Sequence, residues 1–356
     1  MERSDLKFLA ILTVRNEGAF LLDWLAHHRA VGITDVLVFS NDCQDGTDAM
    51  LDRLAEMGWL THLRNDGPHG SGGIQFTALK RAARHELTRA ADWILALDID
   101  EFVNVHVGDH TLPALLAALP DADAITLTWR LFGSGDQLRY EDVPVPERFT
   151  ACAPELIFWP WRAAMFKTLY RNDGTYRKPG VHRPRSPDPA RLTRVRWFDG
   201  SGRELGHDFH TKRLFSNYGQ PNYDLVQLNH YPLGAMESFV VKADRGRAVH
   251  AGQRLDVDYW VERNFNTDTD TSIAAVAPLS APIRAGLQAD PVLAELHAAA
   301  VAWRKARFLA LVEQEPWRAL LARLMMTPPS RPISPAAARM LTGYALKGRL
   351  SSEAEE

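Results

Sequence analysis

Three acids crowd the end of an apolar run in Trp93-Ile94-Leu95-Ala96-Leu97-Asp98-Ile99-Asp100-Glu101-Phe102. In an extended strand residues i and i+2 point the same way, so Asp98 and Asp100 can present their carboxylates side by side. Two like charges at the end of a buried strand repel and resist leaving water unless a cation sits between them. Oxygen-only donors suit Mg²⁺ or Mn²⁺, which keep positions open for water or phosphate oxygens. A strand end with solvated acids that cap the next element is the other reading of the same residues. Two further turns carry polar groups: Arg15, Asn16 and Glu17 follow one apolar run, and Asp42 follows a second. An aspartate at the latter place can accept the N3–H of a uracil-like base, while the former turn grips ring and ribose.

These residues need a sheet to hold them. Phe8 to Val14 reads as a strand, followed by a polar turn and Phe20, Leu21, Trp24, Leu25 and His28 at helical spacing. A second strand covers Asp35 to Ser40, a helix Asp48 to Met57 closes at Gly58, and a third strand spans Trp59 to Leu63. A helix from Gln75 to Arg89 leads into the acidic strand. Strands alternating with helices predict a mostly parallel sheet with right-handed crossovers, a Rossmann-like α/β fold whose ligands bind off the strands' carboxyl ends. That order lines up a base site, a ribose site and a diphosphate site along one sheet edge. The loop Gly70-Ser71-Gly72-Gly73 lacks the Lys and Ser/Thr of a phosphate loop and reads as a flexible turn.

A helix covers Thr111 to Leu119 and a strand Ile125 to Arg130, which runs into Leu131-Phe132-Gly133-Ser134-Gly135-Asp136. From Trp161 to Arg213 thirteen Lys/Arg stand against five acids, a charge excess able to receive an anionic substrate. After Val257 the chain turns helical, with an apolar stripe of Trp303, Phe308, Leu311, Trp317, Leu320, Leu321 and Leu324 suited to packing on its own domain. Residues 351–356 read as a disordered acidic tail. A net charge of −3 gives no reason to expect nucleic-acid binding. Two cysteines, Cys43 and Cys152, exclude a disulfide framework. No apolar stretch approaches the roughly 20 residues that span a bilayer, so a cytoplasmic protein is expected, with peripheral membrane contact still compatible.

Taken as an ordered set, Thr13-Val14-Arg15-Asn16-Glu17-Gly18, Asp23-Trp24, His27-His28-Arg29-Ala30 and Ser40-Asn41-Asp42 resemble the N-terminal signature of family 2-like glycosyltransferases with a GT-A fold. Leu97-Asp98-Ile99-Asp100-Glu101-Phe102, Trp129, Phe132-Gly133-Ser134-Gly135, Asn229-His230-Tyr231, Ser238-Phe239 and Lys242 are similar to the branch related to the family 92 glycosyltransferases. The resemblance covers roughly residues 6 to 250. It implies a GT-A domain over 1–250, with a nucleotide-binding half at 1–104 and an acceptor half at 105–250, then a helical region over 251–350.

By position, it implies that Asp98 and Asp100 hold Mn²⁺ or Mg²⁺ and, through it, the diphosphate of a nucleotide-sugar, with His230 completing the metal shell. Arg15, Asn16, Glu17, Asp42 and Asp98 would contact the nucleotide. Lys167, His182 and Lys242 would meet the diphosphate or the acceptor, and Glu101 would orient the aspartates. An inverting enzyme needs a carboxylate to deprotonate the acceptor, a glycan or lipid-linked hydroxyl. Asp136 is the first candidate, with Glu147 and Asp208 as rivals. A phosphohydrolase of the haloacid-dehalogenase type would carry its aspartates on the first strand. A non-catalytic binding or scaffold protein that kept the fold is the alternative from another class.

Overall fold

The computed structural model describes residues 6–69, 73–217, 219–246 and 255–355. From the N-terminus come β1 (Phe8–Val14), α1 (Gly18–Ala30), β2 (Asp35–Ser40), α2 (Thr47–Glu56), β3 (Thr61–Arg64), α3 (Gly73–Ala82), α4 (Glu86–Ala90) and β4 (Trp93–Leu97). Then follow β5 (Glu101–Val105), α5 (Leu112–Ala118), β6 (Ala124–Leu131), α6 (Val145–Arg148), β7 (Ala151–Cys152) and β8 (Phe166–Arg171). After these lie β9 (Tyr176–Lys178), β10 (Arg185–Pro187), β11 (Trp197–Phe198), α7 (His207–Thr211) and β12 (Val226–His230). The last part holds α8 (Met236–Arg245), α9 (Val257–Val261), β13 (Asp268–Thr269), α10 (Ala277–Gln288), α11 (Pro291–Val312), α12 (Glu315–Met326) and α13 (Pro335–Glu355).

The main sheet has the order β3-β2-β1-β4-β8-β6-β12-β5, with β11 added on β6. β1 is parallel to β2 and β4, β2 to β3, and β6 to β12, whereas β8 and β5 run antiparallel to their neighbours. The α/β architecture read from the sequence is therefore present: a mostly parallel sheet flanked by helices, with a helical C-terminal region. β1 and β4 are buried along nearly their whole length, as strands covered on both faces must be.

Several local expectations change. The helix expected over 75–89 is two helices, because the chain turns at 83–85 and the His85 side chain caps α4 by accepting from Leu87 N–H at 3.2 Å. The third strand starts two residues later than expected, at Thr61, and ends one later, at Arg64. In the acceptor half, β8 and β12 join the sheet although polar residues interrupt them; Lys167 in β8 and Asn229 in β12 are buried because each has partners. The acidic end expected to be disordered continues α13 to Glu355, in line with its Ala- and Glu-rich composition. The glycines at 70–72 lie outside the described residues.

The helical C-terminal region is part of the same core. α10 and α11 pack on α1, α11 also on α2 and α8, and α12 on α8. Ile273, Val276, Leu287, Leu293 and Ala300 share one cluster with Leu12, Leu25 and Leu97. The apolar stripe is buried as expected, with Leu311, Trp317, Leu320 and Leu324 packed against Phe239, Val240 and Trp260.

Candidate functional site

β4 ends at Leu97, and Asp98, Ile99 and Asp100 form the turn before the chain re-enters the sheet as β5. Glu101 N–H donates to Asp98 O at 3.1 Å, and Tyr231 N–H donates to Asp100 O at 2.8 Å. The turn is thus tied to the end of β12, which carries His230. The indole of Trp24 donates from beneath to the carbonyls of Asp98 (3.2 Å) and Glu101 (3.0 Å).

Each aspartate meets a lysine. Because β8 is antiparallel to β4, its N-terminal end lies at the carboxyl edge of the parallel strands, and Lys167 Nζ donates to Asp98 Oδ2 at 2.8 Å. Lys167 is fully buried and also lies 3.4 Å from Glu101 Oε2. Gln75 Nε2, from α3, donates to Asp98 Oδ1 at 3.0 Å. Lys242 Nζ, from α8, donates to Asp100 Oδ2 and to Pro232 O, both at 2.7 Å. Glu101 accepts from Asp98 N–H at 2.9 Å and from Trp129 Nε1 at 2.6 Å, so it holds the turn from behind.

Asp98, Asp100, His182, His230 and Lys242 line one open cavity of about 420 Å³, within the ~300–1,000 Å³ common for ligand sites. His230 stacks at a tilt on Trp129, 4.2 Å between centroids, and its Nε2 lies 3.8 Å from Asp100 Oδ1; its Nδ1 has no hydrogen-bond partner among the described residues. His182 Nδ1 is bonded to Phe166 O at 3.0 Å. Burial pushes His230 down to about 3 and His182 down to about 4, so both imidazoles are neutral at pH 7. Burial works to raise the Asp100 carboxyl, but Lys242 and His230 outweigh it and hold it at about 2. Burial raises Glu101 above the usual carboxylate range, against the pull of Lys167. For Lys167, burial alone would favour the neutral amine; Asp98 and Glu101 reverse that and keep it charged.

The expected metal set is Asp98, Asp100 and His230. The structure brings all three to the cavity, but each carboxylate already accepts from an ammonium group. Among the described residues, no three His, Cys, Asp or Glu side chains gather where they could hold a metal ion. As arranged, these residues do not fit a divalent ion, because a dication on those oxygens would face two ammonium groups of like sign.

Of the expected nucleotide contacts, Arg15 and Glu17 line the same cavity. Glu17 is ion-paired with Arg245 of α8, and Arg15 reaches the Arg245 carbonyl at 3.4 Å. Asn16 faces a smaller adjoining cavity, its Oδ1 accepting from Gln44 N–H at 2.7 Å. Asp42 is exposed and is not on the cavity wall, where its neighbour Asn41 stands instead. Asp136 is also exposed and off the wall, with Asn266 Nδ2 3.5 Å from its carboxylate. Its rivals Glu147 and Asp208 are exposed and are also not among the lining residues.

No family model and no curated protein matches the chain. Among solved structures the chain is similar to Staphylococcus aureus TarS, at 15% identity over 67% of this chain and 40% of that one, with a TM-score of 0.32. It is similar to the 1–349 part of S. aureus TarS in complex with UDP-GlcNAc, at 18% identity over 47% and 46% of the two chains, TM-score 0.28. HddC from Yersinia pseudotuberculosis matches at 13% identity over 38% and 65%, TM-score 0.25. The chain spans less than half the length of the TarS structures it matches. No helix among the described residues is long and apolar enough to cross a membrane.

Some of the cavity's residues carried no signal in the sequence. Gln75 looks like any helical glutamine, and Arg263 follows α9, far along the chain. Arg183 and Arg185 were part of the expected basic stretch, but most of that stretch serves elsewhere: Arg196 pairs with Asp121 and Glu204, and Arg203 with Asp199. Only the fold separates the cations that face the cavity from those that do not.

Proposed function

We propose that the chain is a glycosyltransferase that takes its sugar from a nucleotide-diphosphate donor, a UDP-sugar, and passes it with inversion to a hydroxyl of a glycan or lipid-linked acceptor. The observation that carries this reading is the cavity at the carboxyl edge of the sheet, lined by Asp98, Asp100, Lys242 and several arginines around a volume suited to a nucleotide. The uracil and ribose would lie toward Arg15 and Glu17 at the end of β1, and the diphosphate toward the turn between β4 and β5. In the transfer, the acceptor oxygen attacks the anomeric carbon. The bond from that carbon to the diphosphate oxygen breaks, with its electron pair going to the diphosphate, and the acceptor proton passes to a base. The cations around the leaving diphosphate stabilise the charge it gains.

A thermal-shift screen of nucleoside diphosphates and nucleotide sugars tests this, since a bound donor stabilises the fold by mass action. UDP and at least one UDP-sugar should raise the melting temperature, and the UDP-sugar should be consumed slowly in the absence of acceptor. If no nucleotide sugar produces a shift at millimolar concentration, the reading fails.

A further inference from the structure

The pairing of both aspartates with lysines has a functional meaning of its own. Lys167 is sealed behind the cavity wall between Asp98 and Glu101, while Lys242 stands on the wall against Asp100. Seven cationic side chains line the cavity against three carboxylates, Glu17, Asp98 and Asp100, and all three of those acids are ion-paired. Arg15, Arg183 and Arg185 have no carboxylate partner among the described residues, although all three line the cavity. Buried nitrogens of Arg15 and Arg183 have no hydrogen-bond acceptor there. The cavity therefore presents an excess of unpaired positive charge before any ligand arrives, and each of its aspartates is already engaged by an ammonium group.

We propose that this site binds a diphosphate without a divalent ion: Arg15, Arg183 and Arg185 take the phosphate oxygens, and Lys242 supplies the fixed positive charge that the acidic turn would otherwise draw from a metal. This rests on the reading of the cavity as a nucleotide-diphosphate site and changes how that site is held. Asp100 then has a structural task. It anchors the Lys242 ammonium, together with Pro232 O, so that its remaining N–H can point into the cavity. Guanidinium groups suit the role of the other three, because their planar forks match phosphate oxygens in pairs.

Calorimetric titration of the full chain with inorganic pyrophosphate and with UDP, each in EDTA and in excess Mn²⁺, tests this. Both ligands should bind in EDTA, with affinities that Mn²⁺ changes by less than about threefold. Binding of either ligand that appears only with Mn²⁺ overturns the inference and leaves the functional reading standing. Binding of pyrophosphate but not UDP in EDTA supports the inference and removes the nucleotide. Failure of both ligands under both conditions overturns the inference and the functional reading together. In Lys242→Met, Asp100 is released: pyrophosphate binding in EDTA should fall at least tenfold and become dependent on Mn²⁺. Should that variant not fold, Arg183→Gln with Arg185→Gln, at the half-buried and exposed rim, should cost at least tenfold in EDTA. Unchanged affinity in the rim variant would overturn the assignment.

Discussion

Glu101 shows what a fully buried carboxylate requires. It has no exposure, and the Trp129 indole, the Asp98 N–H and Lys167 surround its two oxygens. Removing one partner of such a group leaves an uncompensated buried charge, which costs about 3–5 kcal/mol. Lys167→Met should therefore lower unfolding stability in urea by that amount. Adding Glu101→Gln should recover part of the loss, giving a non-zero coupling in the double-mutant cycle. Asp136 is the contrast. It is exposed and is not among the residues that line the cavity, and a base must come within hydrogen-bond reach of the proton it takes. Asp136→Asn should keep UDP-sugar turnover within about threefold; a loss of a hundredfold or more would restore it as the base. At this scale the sequence was legible where chemistry is local. Asp98 and Asp100 reach one cavity as expected, but from the turn after β4 and not from an extended strand, and nothing in the spacing of Lys167 or Lys242 says which acid each will meet. Those pairs are set by an antiparallel register and a helix angle.

Among elements, the first four strands and their helices could be read because compact apolar runs alternate with amphipathic segments. β8 and β12 could not, since the residues that interrupt them are polar and become acceptable only through partners on other elements. Asn229 donates to the Tyr231 hydroxyl at 3.0 Å and accepts from Gln227 at 2.7 Å, a side-chain network with no trace in local pattern. The loop after β6 has the same long-range dependence. Ser134 N–H donates to Asn264 Oδ1 at 2.9 Å, and Gly133 packs so closely that an added Cβ would lie 2.6 Å from Phe265 O. Gly133→Ala should force this loop from the 264–266 segment and lower stability by about 2 kcal/mol or more, read from the urea midpoint at constant slope. An unchanged midpoint would mean that the segment yields freely.

Across the whole molecule, buried imidazoles set a response to acid. His27 Nε2–H donates to Val103 O (2.8 Å) and His28 Nδ1–H to Trp24 O (2.8 Å), both rings lying against Phe102. Burial lowers His27 to about 4 and lowers His28 as well. A depressed histidine contributes stability above its unfolded value near 6.5, and that contribution is lost as pH falls toward the folded value. The difference in unfolding free energy between the native chain and His27→Gln should shrink by roughly 2–3 kcal/mol from pH 7.5 to 4.5. Asp23, raised by burial to about 6, works in the opposite direction, so the native chain alone gives a flatter curve than this difference does. A pH-independent difference would mean that His27 is charged or solvated in the fold. Finally, α10 and α11 supply Leu287, Leu293 and Ala300 to the cluster that holds Leu12 and Leu97. A nascent polypeptide leaving the ribosome has therefore made every strand of the main sheet before the helices that shield α1 exist. Translation must run past α11 before this core can close, and a pause ahead of that point would leave a greasy surface open to chaperones.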